Sequence, residues 1–282
     1  MISLLQQRVQ AAHWLSIDVV IGAVFTHRMV SRFPDGQEAG SWSVTLTLAL
    51  CIFLIYAADR LIDGLRFKAS GQALPDRHWF HAANRRMLVL TMAVCVGLSL
   101  LLLFWLPASV VRFGLILALL CAVYLFGVSR LPQDHPLLAF KEPLVALLYT
   151  VGIWGSIFVQ RETIGWTEWA LVGLFLGVAF QNILLFSLME HYEGEEHGLS
   201  LASLWGPSQC DWVLRSLTGV LVLLALAVFM FGGPRYVQRA AVVEGLMSLG
   251  LYIIQRYPEY FLENGRYRWV GDGVFWLPGL IL

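Results

Sequence analysis

The chain has 282 residues, of which 58% are hydrophobic and only 13% charged, about half the charged share of a soluble domain. Lys and Arg balance Asp and Glu at 19 each, and the mean hydropathy is +0.70. So little surface charge excludes an ordinary water-soluble enzyme, a disordered chain and a nucleic-acid binder with a basic face. The composition reads as an all-α, polytopic membrane helix bundle.

In chain order, residues 1–16 come first. Arg8 and His13 interrupt them and no small-residue cleavage site follows, so they do not read as a cleaved signal peptide. Leu4, Leu5 and Val9, with Gln6, Gln7 and Arg8, suit a short interfacial helix. A membrane-crossing helix needs about 20 apolar residues. Such runs lie near 11–30, 42–62, 86–107, 109–128, 143–160, 167–189, 212–231 and 237–255, with a shorter one at 268–282. Eight to nine transmembrane helices are therefore predicted, and the short connections make residues 1–282 a single transmembrane helical domain. Phe104-Trp105-Leu106-Pro107 and Phe231-Gly232-Gly233-Pro234 mark helix ends. Cys51, Cys95, Cys121 and Cys210 lie in or beside apolar runs without metal or redox spacing, and read as packing residues.

Two connections are longer and polar, at 63–85 and 190–211. Four helices separate them, so both fall on one side. Six of the 19 basic residues (Arg28, Arg32, Arg112, Arg161, Arg235 and Arg239) fall on the opposite side, and the other thirteen share the side of the long loops. The excess of Lys and Arg sets that side as cytoplasmic. Thirteen of the 19 acidic residues lie there as well, although topology does not require them.

Those acids form two groups. Asp59 and Asp63 are four apart, on one face at the end of the second span. Two like charges at that spacing repel unless a cation lies between them, and Mg²⁺ binds through one or two carboxylates plus phosphate oxygens. Glu190 and Glu193 end the sixth span. With His197 one turn further on, they line one face if that helix runs past the membrane, and Asn182 lies deeper on the same face. Bland alternatives exist for each group: an ion pair of Asp59 with Arg60, or a solvated acidic loop at 190–196. A zinc site from His191, His197 and Glu lacks H-E-x-x-H spacing. The basic residues Arg66, Lys68, Arg77, His78, His81, Arg85, Arg86 and Lys141 stand near the same mouth, where they suit phosphate or anionic lipid headgroups. Carboxylates, a metal and cations suit a diphosphate, and an apolar bundle suits the hydrocarbon attached to it. Tyr56 and Tyr192 flank the acids. Asp18 and Glu244 are acids within spans, and each requires a partner or a cavity, His13 or His27 being options for Asp18.

With these features the sequence resembles the UbiA family of intramembrane prenyltransferases. Asp59-Arg60-x-x-Asp63-Gly64 is similar to the second half of the family's first motif, N-D-x-x-D-x-x-x-D. Tyr124-Leu-Phe-Gly with the Lys141 segment is similar to the fourth-to-fifth helix connection. Glu190 to Gly198 stands where the second motif, D-x-x-x-D, falls. Tyr267-Arg268-x-x-x-Asp272 leading to Pro278 resembles the last helix. The sequence departs from the pattern at Ile55 and Tyr56, which replace the first motif's Asn and Asp. It departs again at Gly194, in place of the second motif's last Asp, and at Val128, where the family has Lys. The resemblance implies Mg²⁺-dependent transfer of a prenyl group from a polyprenyl diphosphate to an aromatic or lipid acceptor. It implies metal ligation and catalysis by Asp59, Asp63, Glu190 and Glu193, and substrate binding by Tyr56, Arg66, Lys68, Arg77, His78, Lys141 and Asn182. The partners expected are these substrates and membrane lipids, with no nucleic acid. The expected setting is a bacterial-type inner membrane, with the site facing the cytoplasm. Two other functions fit the residues: a catalytically inactive isoprenoid-binding protein, or a proton-coupled transporter.

Overall fold

The computed structural model describes residues 15–37, 40–70, 84–132, 135–194 and 199–282; the side chains of Asp63 and of 65–70 lie outside the description. Its long helices are α1 (Ile17–Ser31), α2 (Trp42–Ser70), α3 (Arg85–Leu102), α4 (Ala108–Arg130), α5 (Lys141–Phe158), α6 (Trp166–Glu193), α8 (Pro207–Phe231) and α9 (Arg235–Arg256). Two single-turn helices, α7 (Leu201–Trp205) and α10 (Pro258–Leu262), lie in connections, and α11 (Arg266–Gly273) continues as a 3₁₀ helix over Val274–Ile281. No strand occurs among the described residues.

Seven helical stretches are long and apolar enough to cross a membrane. The two shorter ones are α1, with 15 residues, and the α11–3₁₀ run, whose two parts together reach about 28 Å. Each predicted apolar run thus overlaps one of these helices among the described residues, and the protein is an integral multi-pass membrane protein. Prolines mark two helix starts close to where the sequence predicts them, Pro107 before α4 and Pro234 before α9; Pro207 opens α8 five residues before the predicted 212, and Pro258 opens α10, which the sequence does not predict. Two helices outrun their apolar cores. The second reaches Ser70 rather than 62, and the sixth reaches Glu193 rather than 189, so both carry their acidic residues on helix rather than on loop.

α6 is the central helix. In its most apolar window 61% of residues are buried, against 11% for α3 and for α4. It packs on α5, α8 and α9, while α1 packs against the closing 3₁₀ run. α3 and α4 turn Leu90, Leu98, Leu115 and Leu119 outward. Apolar exposure on that scale is what a lipid-facing surface requires. The core joins Met29, Trp154, Phe175, Leu185, Leu214, Met247 and Tyr267 from across the bundle.

Candidate functional site

The site is built on three helices. The first is α2. Its residues Leu46, Ala49, Leu50 and Phe53 follow helical i, i+3, i+4, i+7 spacing and line an apolar cleft of about 520 Å³ with Ile17 and Val20 of α1 and Leu98, Leu101, Leu102 and Trp105. Phe53 also packs among Leu15, Ser16, Tyr56, Ala57, Arg60 and Leu88, where no space the size of a water is left. One face of α2 therefore runs from apolar at Leu46 to polar at Arg60, over about 21 Å, and Asp59 and Asp63 stand beside this face at its polar end. Asp59 is half-buried.

At the polar end of this face the hydroxyl of Tyr56 lies within electrostatic reach of Asp272, Arg60, Asp59 and Asp18. Tyr149 on α5 shares two of these neighbours, Asp272 and Asp18, and lies within reach of Tyr56 itself. Its ring stacks on Phe175 at 6.0 Å and meets Phe275 edge-on at 5.9 Å. Polar groups thus stand on an aromatic floor. Asp18 is only 8% exposed. It accepts from its neighbour Val19 N at 3.0 Å, while Trp276 Nε1 donates to the Asp18 carbonyl at 2.9 Å. His27 is not its partner, since His27 Nδ1 meets Thr45 Oγ1 at 3.1 Å. His13, the other option for Asp18, lies outside the described residues.

The second helix is α6. Asn182, Phe186, Glu190 and Glu193 lie along one face, as spacing predicts. The helix stops at Gly194, whose φ of 70° is left-handed and suits glycine. The third is α11, aimed back into the bundle by left-handed backbone at Asn264 and Gly265. It lies directly against that face of α6. Asn182 Nδ2 donates to Asp272 Oδ1 at 3.4 Å. One turn toward the mouth, Arg268 Nη2 stands 3.3 Å from both Glu190 Oε1 and Glu193 Oε2. Tyr267, fully buried, donates to Glu193 Oε2 at 2.8 Å and accepts from Arg268 Nε at 2.7 Å. Asp272 links the two halves: it bonds to α6 and lies within the charge environment of Tyr56 on α2.

The predicted residues distribute as follows. Tyr56, Asn182, Glu190 and Glu193 lie on the faces just described, and Asp59 stands beside the α2 face at its polar end. Asp63, Arg66 and Lys68 lie on the last turns of α2, and their side chains are outside the description. Arg77, His78, His81 and His197 lie outside the described residues. Lys141 is half-buried at the start of α5, next to a more informative residue. Glu142 is 3% exposed, and its Oε1 accepts from Leu201 N at 3.2 Å, which ties α7 to α5. Sequence reasoning missed Glu142, and also the site roles of Tyr267, Arg268 and Asp272. The available signal was Arg268-x-x-x-Asp272, two charges one turn apart in a short span. Glu244 is fully buried in α9 with neither carboxyl oxygen hydrogen-bonded among the described residues, and it stands outside this set of contacts.

Whether these residues suit a metal differs between the patches. Among the described residues, no three His, Cys, Asp or Glu converge as a metal cage. A hard cation does not need one when phosphate completes its shell. The donor set of Asp59 and Asp63, two carboxylates one turn apart, fits that chemistry. Glu190 and Glu193 do not, because both already face a guanidinium.

No protein-family model and no curated protein sequence matches the chain. Among solved structures, it is similar to a UbiA homolog from Archaeoglobus fulgidus bound to Cd²⁺, with a TM-score of 0.59 and 14% identity, over 94% of this chain and 98% of the other. The fold is of the UbiA type.

Proposed function

We propose that the protein is an intramembrane prenyltransferase that moves a prenyl group from a polyprenyl diphosphate to an aromatic or lipid acceptor. The observation that carries this reading is the single α2 face that joins a lipid-type cleft to a carboxylate-bearing helix end. An amphiphile with an apolar tail and an anionic head matches that polarity. The tail lies along Leu46, Leu50 and Phe53, and the head reaches the level of Arg60, Asp59 and Asp63. The likeness to a UbiA homolog bound to Cd²⁺ supports divalent-ion use here. Asp59 and Asp63 would hold Mg²⁺, which would supply positive charge to stabilise the departing diphosphate.

The chain's own residues do the rest. Arg60 and Lys141, with Arg66, Lys68, Arg77 and His78, supply donors to the anion at the mouth. Tyr56 and Asn182 orient the head, and the apolar walls exclude water while the C–O bond breaks. The acceptor attacks the allylic carbon, and its proton leaves to solvent or to a carboxylate. The excess of basic residues puts the mouth on the cytoplasmic side of a bacterial-type inner membrane, and the chain works there as one domain over residues 1–282.

The test is diphosphate release in lipid nanodiscs, with polyprenyl diphosphates, Mg²⁺ and a lipid extract as the source of acceptor. Release should require Mg²⁺ and fall by at least about 100-fold, or roughly 3 kcal/mol, in Asp59→Asn and Asp63→Asn. Tight isoprenoid binding without release would favour the inactive-binder reading, and solute flux without release would favour the transporter.

A further inference from the structure

We infer that Arg268 is the resident cation of the α6 acidic patch and occupies the place where a second divalent ion would sit. Two carboxylates at a helix end, Glu190 and Glu193, require positive charge between them. One guanidinium nitrogen lies 3.3 Å from an oxygen of each. The Arg268 side chain is 15% exposed, and those of Glu190 and Glu193 are 29% and 21% exposed. Partial desolvation makes this pairing stronger than a surface ion pair. The geometry is fixed from behind. Tyr267 OH accepts from Arg268 Nε and donates to Glu193, and the Arg268 guanidinium also lies over the Tyr267 ring at 5.0 Å. With Arg268 in place, the cluster carries a net charge of minus one rather than minus two, and one oxygen of each carboxylate already faces the guanidinium. A divalent ion gains little there and has to displace a guanidinium that cannot lose its charge.

A fixed protein cation at the α6 end leaves the α2 end as the place for an exchangeable ion in such a centre. This rests on the prenyl-transfer reading only for calling the patches one reaction centre. The cation assignment stands without it.

The test is Mn²⁺ binding to the detergent-solubilised full chain, followed by electron paramagnetic resonance. Glu190→Gln with Glu193→Gln should leave Mn²⁺ stoichiometry and affinity unchanged, while Asp59→Asn with Asp63→Asn should abolish binding. Arg268→Gln should create a second site, with affinity at least roughly tenfold above the wild-type background at that patch. The triple variant with both glutamine changes should lose it. Arg268→Lys keeps a cation and should not gain a site. The inference is overturned if the double glutamine variant loses a Mn²⁺ ion from the wild-type chain, a result that does not depend on whether Arg268→Gln folds. Loss of catalysis with these results intact would remove the prenyl-transfer reading and leave the cation assignment standing.

Discussion

Gly271 of α11 lies so close to Phe186 of α6 that a β-carbon there would stand 2.4 Å from the ring atom Cε1, and 2.9 Å from Asn182 Oδ1. This contact sets the distance at which Arg268 and Asp272 meet the acidic face of α6. Gly271→Ala should push the two helices apart and cost about 1–3 kcal/mol. Thermal unfolding in detergent measures the loss. A cysteine pair at positions 182 and 272, which should cross-link in the parent chain, should lose that cross-link in the variant. An unchanged melting temperature and cross-link yield would show that α11 has room to spare.

At the opposite end of the bundle, Arg161 bridges three elements. It pairs with Glu168, and its Nη2 donates to the carbonyls of Val30 at 3.1 Å and Phe33 at 2.8 Å. Glu168 Oε2 in turn accepts from Gly165 N at 2.6 Å, and Glu168 is only 6% exposed. Arg161→Ala strands a buried carboxylate and should cost about 3–5 kcal/mol. Adding Glu168→Gln removes the stranded charge and should recover a large part of it. Equal melting points for the single and double variants would contradict this.

Glu142 ties the connection that follows the α6 acids to the bundle. Glu142→Ala leaves the buried Leu201 N–H without its acceptor and should cost about 1–3 kcal/mol. Glu142→Gln keeps an acceptor oxygen and should cost less. Limited proteolysis between residues 194 and 206 should accelerate in the alanine variant and much less in the glutamine one.

Much of this arrangement is legible in the sequence, and the reasons are physical. Apolar length and proline position place the run at 109–128 closely on its helix, while 42–62 matches only at its start and 212–231 only at its end. Helical spacing alone places Asn182 and Glu190 on one face. Partners distant in sequence are not legible. Glu193 and Arg268 are 75 residues apart, and only folding shows that α11 folds back onto α6. The two acids looked like metal ligands because the sequence does not display the guanidinium facing them. Glu142 went unnoticed beside Lys141 because its burial depends on α7, a one-turn helix inside what reads as a polar loop. Asp18 and Glu244 were recognisable as costly. The structure gives Asp18 neighbours in Tyr56 and Tyr149, and gives Glu244 no such role.

The shared mouth has its own test. Cysteines introduced at positions 70 and 200 should react with a membrane-impermeant thiol reagent from the same side of sealed vesicles. Labelling from opposite sides would separate the acidic helix ends and remove the basis for one site.

The central claim is that the α2 face holds a prenyl diphosphate. The direct measurement is photolabelling in nanodiscs with a prenyl diphosphate analogue carrying a photoreactive group on its tail, mapped by mass spectrometry. Label should fall on α2 between Leu46 and Arg60 and on the stretch from Leu98 at the end of α3 to Trp105 in the turn after it, and excess unlabelled polyprenyl diphosphate should suppress it at least about tenfold. Label confined to α8 and α9, or unaffected by the competitor, would contradict the account.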